Sequence, residues 1–282
     1  MQVRVAREMG MCFGVRDAID LALELAREGP LTILGDLVHN PDVVARLDSA
    51  GAGRARDPAE VRTPAVLLTA HGTSDRVRLG LIERGLEVHD ATCPLVRRAH
   101  LALARLVAEG RHPVVIGRPD HVEVRGLVGD LPDYTVLHTE ADLDRLAPRM
   151  ARDPRTRLGV VSQTTQPLER VRGLVAALRA RYPCADVRFV DTVCQPTKDR
   201  QQALRDLAEE VDVVVVVGGP DSNNSRKLVE LARSLGRPAH LVARAAELRG
   251  EWFAGCAVAG LTAGTSTPDA VIDEVRAWLE AC

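Results

Sequence analysis

Six short apolar runs, each giving way to a polar loop and then to a stretch of helical spacing, set the tightest limit on how this 282-residue chain can fold. Leu31-Thr-Ile-Leu34 runs into Gly35 to Asn40, Ala65-Val-Leu-Leu68 into Thr69 to Ser74, and Val114-Val-Ile116 into Gly117 to Glu123. Leu158-Gly-Val-Val161 runs into Ser162 to Gln166, Val213 to Val217 into Gly218 to Ser225, and Ala257-Val-Ala259 into Gly260 to Ser266. Strands without alternating polar positions are buried on both faces, the condition of parallel sheets covered by helices and joined by right-handed crossovers. Ligands of such open α/β sheets bind beyond the carboxyl ends of the strands, and every one of these loops lies at such an end.

Three cysteines recur at comparable junctions. Cys12 lies in Met9-Gly-Met-Cys-Phe-Gly14, after Val3 and Val5 and before the helical spacing of Val15, Ile19 and Leu23. Cys93 closes Asp90-Ala-Thr-Cys93 ahead of Val96, Leu101, Leu103 and Leu106, and Cys194 closes Asp191-Thr-Val-Cys194 ahead of Arg200, Leu204, Leu207 and Ala208. One such cysteine falls in roughly every 90 to 100 residues, the size of a small domain. The simplest architecture is three similar α/β units with small parallel sheets, 13–93, 94–192 and 193–282 joined by 1–12, with the three cysteines at their borders and two polar loops from each unit directed to a shared centre. Pro94 and Pro196 follow two of the cysteines and mark candidate boundaries, and no long Pro/Ser-rich linker separates the units.

Lys+Arg 37 against Asp+Glu 39, with no basic block and 2% aromatic residues, gives no electrostatic or stacking basis for binding nucleic acid or a membrane surface. No apolar run approaches the roughly 20 residues of a membrane span, and the N-terminus, with Arg4, Arg7 and Glu8, lacks a signal-peptide core. A cytoplasmic chain is expected, in which cysteines are reduced thiols or metal ligands rather than disulfides. Three converging thiolates point to a metal centre. Zinc would want a fourth ligand, commonly in a closely spaced cysteine pair, whereas three thiolates on an iron–sulfur cubane leave one iron open. Cys184, Cys256 and Cys282 lack the flanking motif and read as ordinary buried or terminal thiols.

These motifs, with Leu37-Val-His-Asn40, Ala70-His-Gly72, Ser162-Gln-Thr-Thr165, Ser222-Asn-Asn-Ser225 and Thr262-Ala-Gly-Thr-Ser266, closely resemble the LytB/IspH family of hydroxymethylbutenyl diphosphate reductases, in order and along essentially the whole chain. The resemblance implies a trefoil of three α/β units around a central [4Fe-4S] cluster held by Cys12, Cys93 and Cys194. It implies a two-electron, two-proton reductive dehydroxylation of 4-hydroxy-3-methylbut-2-enyl diphosphate to isopentenyl and dimethylallyl diphosphate, the last step of the methylerythritol phosphate pathway. It assigns diphosphate binding to His39, His71, Ser222, Asn224 and Ser266, with Asn223 beside them. Glu123 becomes the proton donor, His121 a substrate contact and Thr164 the residue that orients the hydroxyl. No Gly-x-Gly-x-x-Gly follows a strand, so electrons are expected from an external ferredoxin or flavodoxin.

The chain departs from the family pattern at Val122, where His-Pro-Glu is usual, at Asn223, where serine is common, and at Arg226-Lys227. A relative reducing a different allylic substrate, a cluster-bearing redox sensor or electron carrier, and a structural-zinc module are the competing readings.

Overall fold

The apolar runs become the central strands of three sheets in the computed structural model of the chain, which describes residues 1–38 and 40–282. In chain order the first elements are β1 (Gln2–Val5), α1 (Phe13–Glu28), β2 (Leu31–Leu34), α2 (Pro41–Ser49), β3 (Gly53–Ala55), β4 (Ala65–Leu68), α3 (Asp75–Glu83) and β5 (Glu87–Asp90). The middle of the chain forms α4 (Pro94–Ala108), β6 (His112–Ile116), α5 (Val122–Val128), β7 (Thr135–Leu137), α6 (Ala147–Arg152), β8 (Arg157–Ser162), α7 (Leu168–Arg181) and β9 (Asp186–Phe189). The last third forms α8 (Gln195–Glu209), β10 (Val213–Val217), α9 (Asn223–Ser234), β11 (Ala239–Val242), β12 (Val258–Ala263) and α10 (Asp269–Ala281). Pro94 therefore opens α4 and Pro196 lies in the first turn of α8, positions where a missing N–H costs nothing.

The sheets are ordered β3-β2-β4-β5, β7-β6-β8-β9 and β11-β10-β12-β1. Each repeats one plan, in which the second strand lies outside the first and the third and fourth follow on the other side. In the last sheet β1, from the start of the chain, is the fourth strand and runs parallel to β12. The repeat extends to single hydrogen bonds. The glycine after each first strand donates its N–H to the end of the second: Gly35 to Ala55 O at 2.7 Å, Gly117 to Leu137 O at 3.0 Å and Gly218 to Val242 O at 2.9 Å.

The chain divides into two compact units, one of Met1–Gly29, Asp36–Gly53 and Gln195–Cys282 and one of Pro30–Gly35 and Arg54–Cys194. In the first, β10 is apolar throughout because it faces a core on each side. Val213, Val215 and Val217 pack with Ile272, Val275 and Leu279 of α10, while Val214 and Val216 pack with Leu204 and Leu207 of α8 and Leu228 and Ala232 of α9. In the second unit, Val114 and Val160 meet Leu174 and Leu178 of α7, whereas Val115 and Val161 meet Leu103 and Leu106 of α4 and Val124 and Leu127 of α5. Each such side chain contributes about 1.5–3 kcal/mol by leaving water. The loops at the carboxyl ends of the strands thus hang on rigid supports.

Candidate active site

Cys12, Cys93 and Cys194 each follow the fourth strand of a sheet and directly precede a helix, α1, α4 and α8 respectively. Each cysteine N–H is fixed by a carbonyl in the loop after the third strand of its own sheet: Cys12 by Thr265 O at 3.2 Å, Cys93 by Ala70 O at 3.1 Å and Cys194 by Thr164 O at 3.0 Å. Asp90 Oδ1 accepts from Thr92 N at 2.9 Å and Asp191 Oδ1 from Val193 N at 3.1 Å, which folds the two Asp-x-x-Cys turns. Cys12 and Cys93 occupy helix N-caps without making a side-chain cap bond. That position favours Ser, Thr, Asp or Asn, so cysteine is not there for the helix.

All three are half-buried, and none is held in a disulfide. Such a donor set, at the positive ends of helix dipoles, suits a soft metal or an iron–sulfur cluster. Among the described residues no three His, Cys, Asp or Glu side chains form a ready-made metal cage. Of the remaining cysteines, Cys184 and Cys282 are exposed and the Cys256 thiol reaches Trp252 O at 3.9 Å.

In the second unit the loops after β6 and β8 meet where the strand order reverses, the switch point at which open α/β sheets bind ligands. Glu123, 1% exposed, is there. Thr164 N donates to its Oε1 at 2.6 Å and Thr164 Oγ1 to its Oε2 at 2.9 Å. Burial in an apolar surrounding raises the Glu123 pKa to about 7, against the opposing effect of the two Thr164 bonds. His121 caps α5, its Nδ1 accepting from Glu123 N at 3.2 Å, so the neutral ring carries its proton on Nε2. The His121 ring lies edge-on to that of His71, with centroids 5.7 Å apart. The α5 helix closes on the His71 loop through Gly126, where a Cβ would stand 3.2 Å from Gly72 O. His71, His121, Glu123 and Thr164 are thus gathered in one unit.

In the first unit, the loops after β10 and β12 meet at the corresponding switch point, and Ser222, Asn223, Asn224 and Ser266 are all buried there. Ser222 Oγ caps α9 by accepting from Ser225 N at 3.3 Å. Asn224 Nδ2 and Ser266 Oγ are buried without a hydrogen-bond partner. A buried orphan donor costs about 1–3 kcal/mol, and such a pair at a helix N-terminus suits an anion. Ser225, absent from the sequence candidates, completes the group: its Oγ donates to Ser222 Oγ at 3.0 Å. It lies between Gly218 and Gly264, where a Cβ on either residue would stand 2.2 or 2.0 Å from that oxygen. No local sequence signal marks Ser225, because the gap it fills forms only when the loops carrying Gly218 and Gly264 come together. His39 lies outside the described residues.

The family described as "LytB protein" matches residues 3–280. The chain belongs to the LytB family. A 4-hydroxy-3-methylbut-2-enyl diphosphate reductase of Anaeromyxobacter sp. (strain Fw109-5) is 38% identical to this LytB chain, covering 99% of it and 97% of the relative. One from Methylibium petroleiphilum is 40% identical over 99% of the chain and 85% of its own length. Among solved structures, the E-1-hydroxy-2-methyl-but-2-enyl-4-diphosphate reductase from Plasmodium falciparum superposes with a TM-score of 0.91 at 27% identity, over 99% of this chain and 87% of that one. A second, described as (E)-4-hydroxy-3-methyl-but-2-enyl diphosphate reductase, has a TM-score of 0.70 at 33% identity and full coverage of both chains. Against that LytB background Val122 changes little, because it is the first residue of α5, a position that proline and valine both fill without losing a helical bond.

Proposed function

We propose that this LytB protein is a 4-hydroxy-3-methylbut-2-enyl diphosphate reductase that removes the allylic hydroxyl by a two-electron, two-proton reduction and forms isopentenyl and dimethylallyl diphosphate. The observation that carries the reading is Glu123: a buried carboxyl with a pKa near 7, bonded to Thr164 at a sheet switch point. A sensor or electron carrier has no use for such a group, whereas loss of a hydroxyl as water needs a proton donor poised near neutral pH.

A [4Fe-4S] cluster on Cys12, Cys93 and Cys194 would supply the electrons and a Lewis-acidic iron. Ser222, Asn224 and Ser266, with Asn223, His71 and His39, bind the diphosphate; Asn224 Nδ2 and Ser266 Oγ gain in it the acceptors they lack. His121 donates from Nε2 to the substrate. Thr164 Oγ1, which can accept as well as donate, orients the hydroxyl and the Glu123 carboxyl together. Glu123 holds a proton and releases it to the leaving oxygen. Electrons come from an external ferredoxin- or flavodoxin-type protein. The proposed site of action is the cytoplasm; separately, no helix among the described residues is long and apolar enough to cross a membrane.

The pH profile tests this assignment. Because Glu123 acts in its protonated form, kcat should be level below about pH 7 and fall tenfold per unit above it. Thr164→Val removes a hydroxyl bond that favours the ionised carboxylate, so its alkaline limb should move to higher pH. A profile without a limb near neutrality, or a limb that moves down in Thr164→Val, excludes Glu123 as the acid. The anion site has its own test. In Gly264→Ala the new methyl displaces Ser225 Oγ and breaks its bond to Ser222, so KM for the diphosphate should rise about tenfold, equivalent to about 1.4 kcal/mol, with iron content unchanged.

A further inference from the structure

Arg200 is a buried cation with no counter-ion among the described residues. It is 5% exposed on α8, and among the described residues it forms no ion pair. Its Nη2 donates to Gly10 O at 2.6 Å and its Nη1 to Pro196 O at 2.9 Å, while its Nε is buried with no hydrogen-bond partner. Gly10 is two residues before Cys12 and has a φ of 74°, a conformation costly for any other residue; its own N–H reaches Ala263 O at 3.3 Å. The guanidinium therefore bonds the Cys12 turn to the first turns of α8, the helix that begins directly after Cys194.

A charge taken out of water without a partner is expensive, and two carbonyl bonds recover only part of that cost. A neutral donor could make the same bonds, so the retained charge asks for an anion. The turn it bonds carries Cys12, whose thiolate is chemistry able to supply one. A second arginine makes a contact of the same kind on α4: Arg98 Nη2 lies 3.5 Å from Asp191 O, three residues before Cys194, but Arg98 is exposed and its contact is long.

We infer that Arg200 is a positioning residue for the cysteine centre, fixing the Cys12 turn through Gly10 O and offsetting with its buried positive charge the negative charge of a thiolate-held iron–sulfur cluster. The inference rests on the cluster reading proposed above. A buried charge is weakly screened, so it should favour the more negative, reduced form of the cluster and raise its potential.

The test uses full-length protein reconstituted anaerobically, comparing the parent with Arg200→Met, Arg200→Lys and Arg98→Met. Two quantities are read: the one-electron potential, by dye-mediated titration followed by electron paramagnetic resonance, and the rate of iron release to a ferrous chelator. Arg200→Met should shift the dye equilibrium about tenfold toward the oxidised cluster, about 59 mV for one electron, and should release iron about tenfold faster. Arg200→Lys keeps the charge but cannot span both carbonyls; its potential should stay near the parent's while iron is released faster. Arg98→Met should match the parent in both. A parental potential in a loaded Arg200→Met protein overturns the inference, as does an equal shift in Arg98→Met. If Arg200→Met does not fold, Arg200→Lys decides, because iron release at the parental rate overturns the positioning role. A parent that takes up no cluster sinks the underlying reading instead, so the two failures are distinguishable.

Discussion

Glu123→Gln is expected to lower turnover by about 10² to 10⁴, the range for a positioned general acid and equivalent to about 2.7–5.4 kcal/mol of barrier. Glutamine keeps the shape and the acceptor oxygen for Thr164 N–H, now 2.6 Å from Glu123 Oε1, but carries no transferable proton. Binding of the diphosphate, measured by calorimetry with the variant, should stay within a few-fold of the parent, because the lost interaction is made only in the transition state. Iron content should not change, since Glu123 touches none of the three cysteines' fixing bonds except through Thr164, whose carbonyl still receives Cys194 N–H. The variant should also lose the stability penalty of its parent at alkaline pH. The folded pKa near 7 lies above that of an unfolded carboxyl, so the fold holds the proton between the two values and weakens as pH rises through that window. Parental turnover in fully loaded Glu123→Gln would make Glu123 a structural carboxyl and direct the search for the acid to His121 or the substrate's own diphosphate.

Replacing Cys12, Cys93 or Cys194 singly by serine should strip iron from the protein to below about a tenth of the parent's content, whereas Cys184→Ser, at an exposed thiol, should keep it all. Anaerobically purified parent should be brown with broad absorption in the blue, and iron and sulfide analysis gives the number. A colourless parent with stoichiometric zinc, or Cys194→Ser holding parental iron, would reverse the assignment. The expectation follows from the fold: each cysteine N–H is tied to its own sheet by one backbone bond of 3.0–3.2 Å, so each sulfur is presented from a fixed turn at the same place in its sheet.

The three sheets were legible in the sequence through their central strands. β2, β4, β6, β8, β10 and β12 have a strand on either side and helices on their faces, so burial writes them as unbroken apolar runs. The second strands β3, β7 and β11 lie at sheet edges and are three or four residues long; Gly53-Arg-Ala55 carries no pattern that marks it as a strand. The cysteine turns were legible because Asp-x-x-Cys uses local bonds, Asp90 to Thr92 and Asp191 to Val193, that a short motif can encode. In the first turn Met9 stands where the aspartate would be, and the register comes from Thr265 and Gly10 instead.

Glu123 was nameable by resemblance, but its burial was not, because the apolar wall is made by tertiary packing of α5 on the sheet and the partner Thr164 is 41 residues away. Ser225 and Arg200 were harder still. One acts by filling the gap between two glycines on other loops, the other by reaching a carbonyl 190 residues distant, and neither leaves a local trace in the chain.

Reduction of an allylic diphosphate by this chain is read from its products. Full-length protein, loaded with iron and sulfide under anaerobic conditions and supplied with excess reductant, is mixed with 4-hydroxy-3-methylbut-2-enyl diphosphate, and the products are resolved by mass spectrometry and nuclear magnetic resonance. The expected result is conversion to isopentenyl and dimethylallyl diphosphate, with the substrate hydroxyl lost as water and the diphosphate intact. An intact, reducible cluster beside unconverted substrate would contradict it.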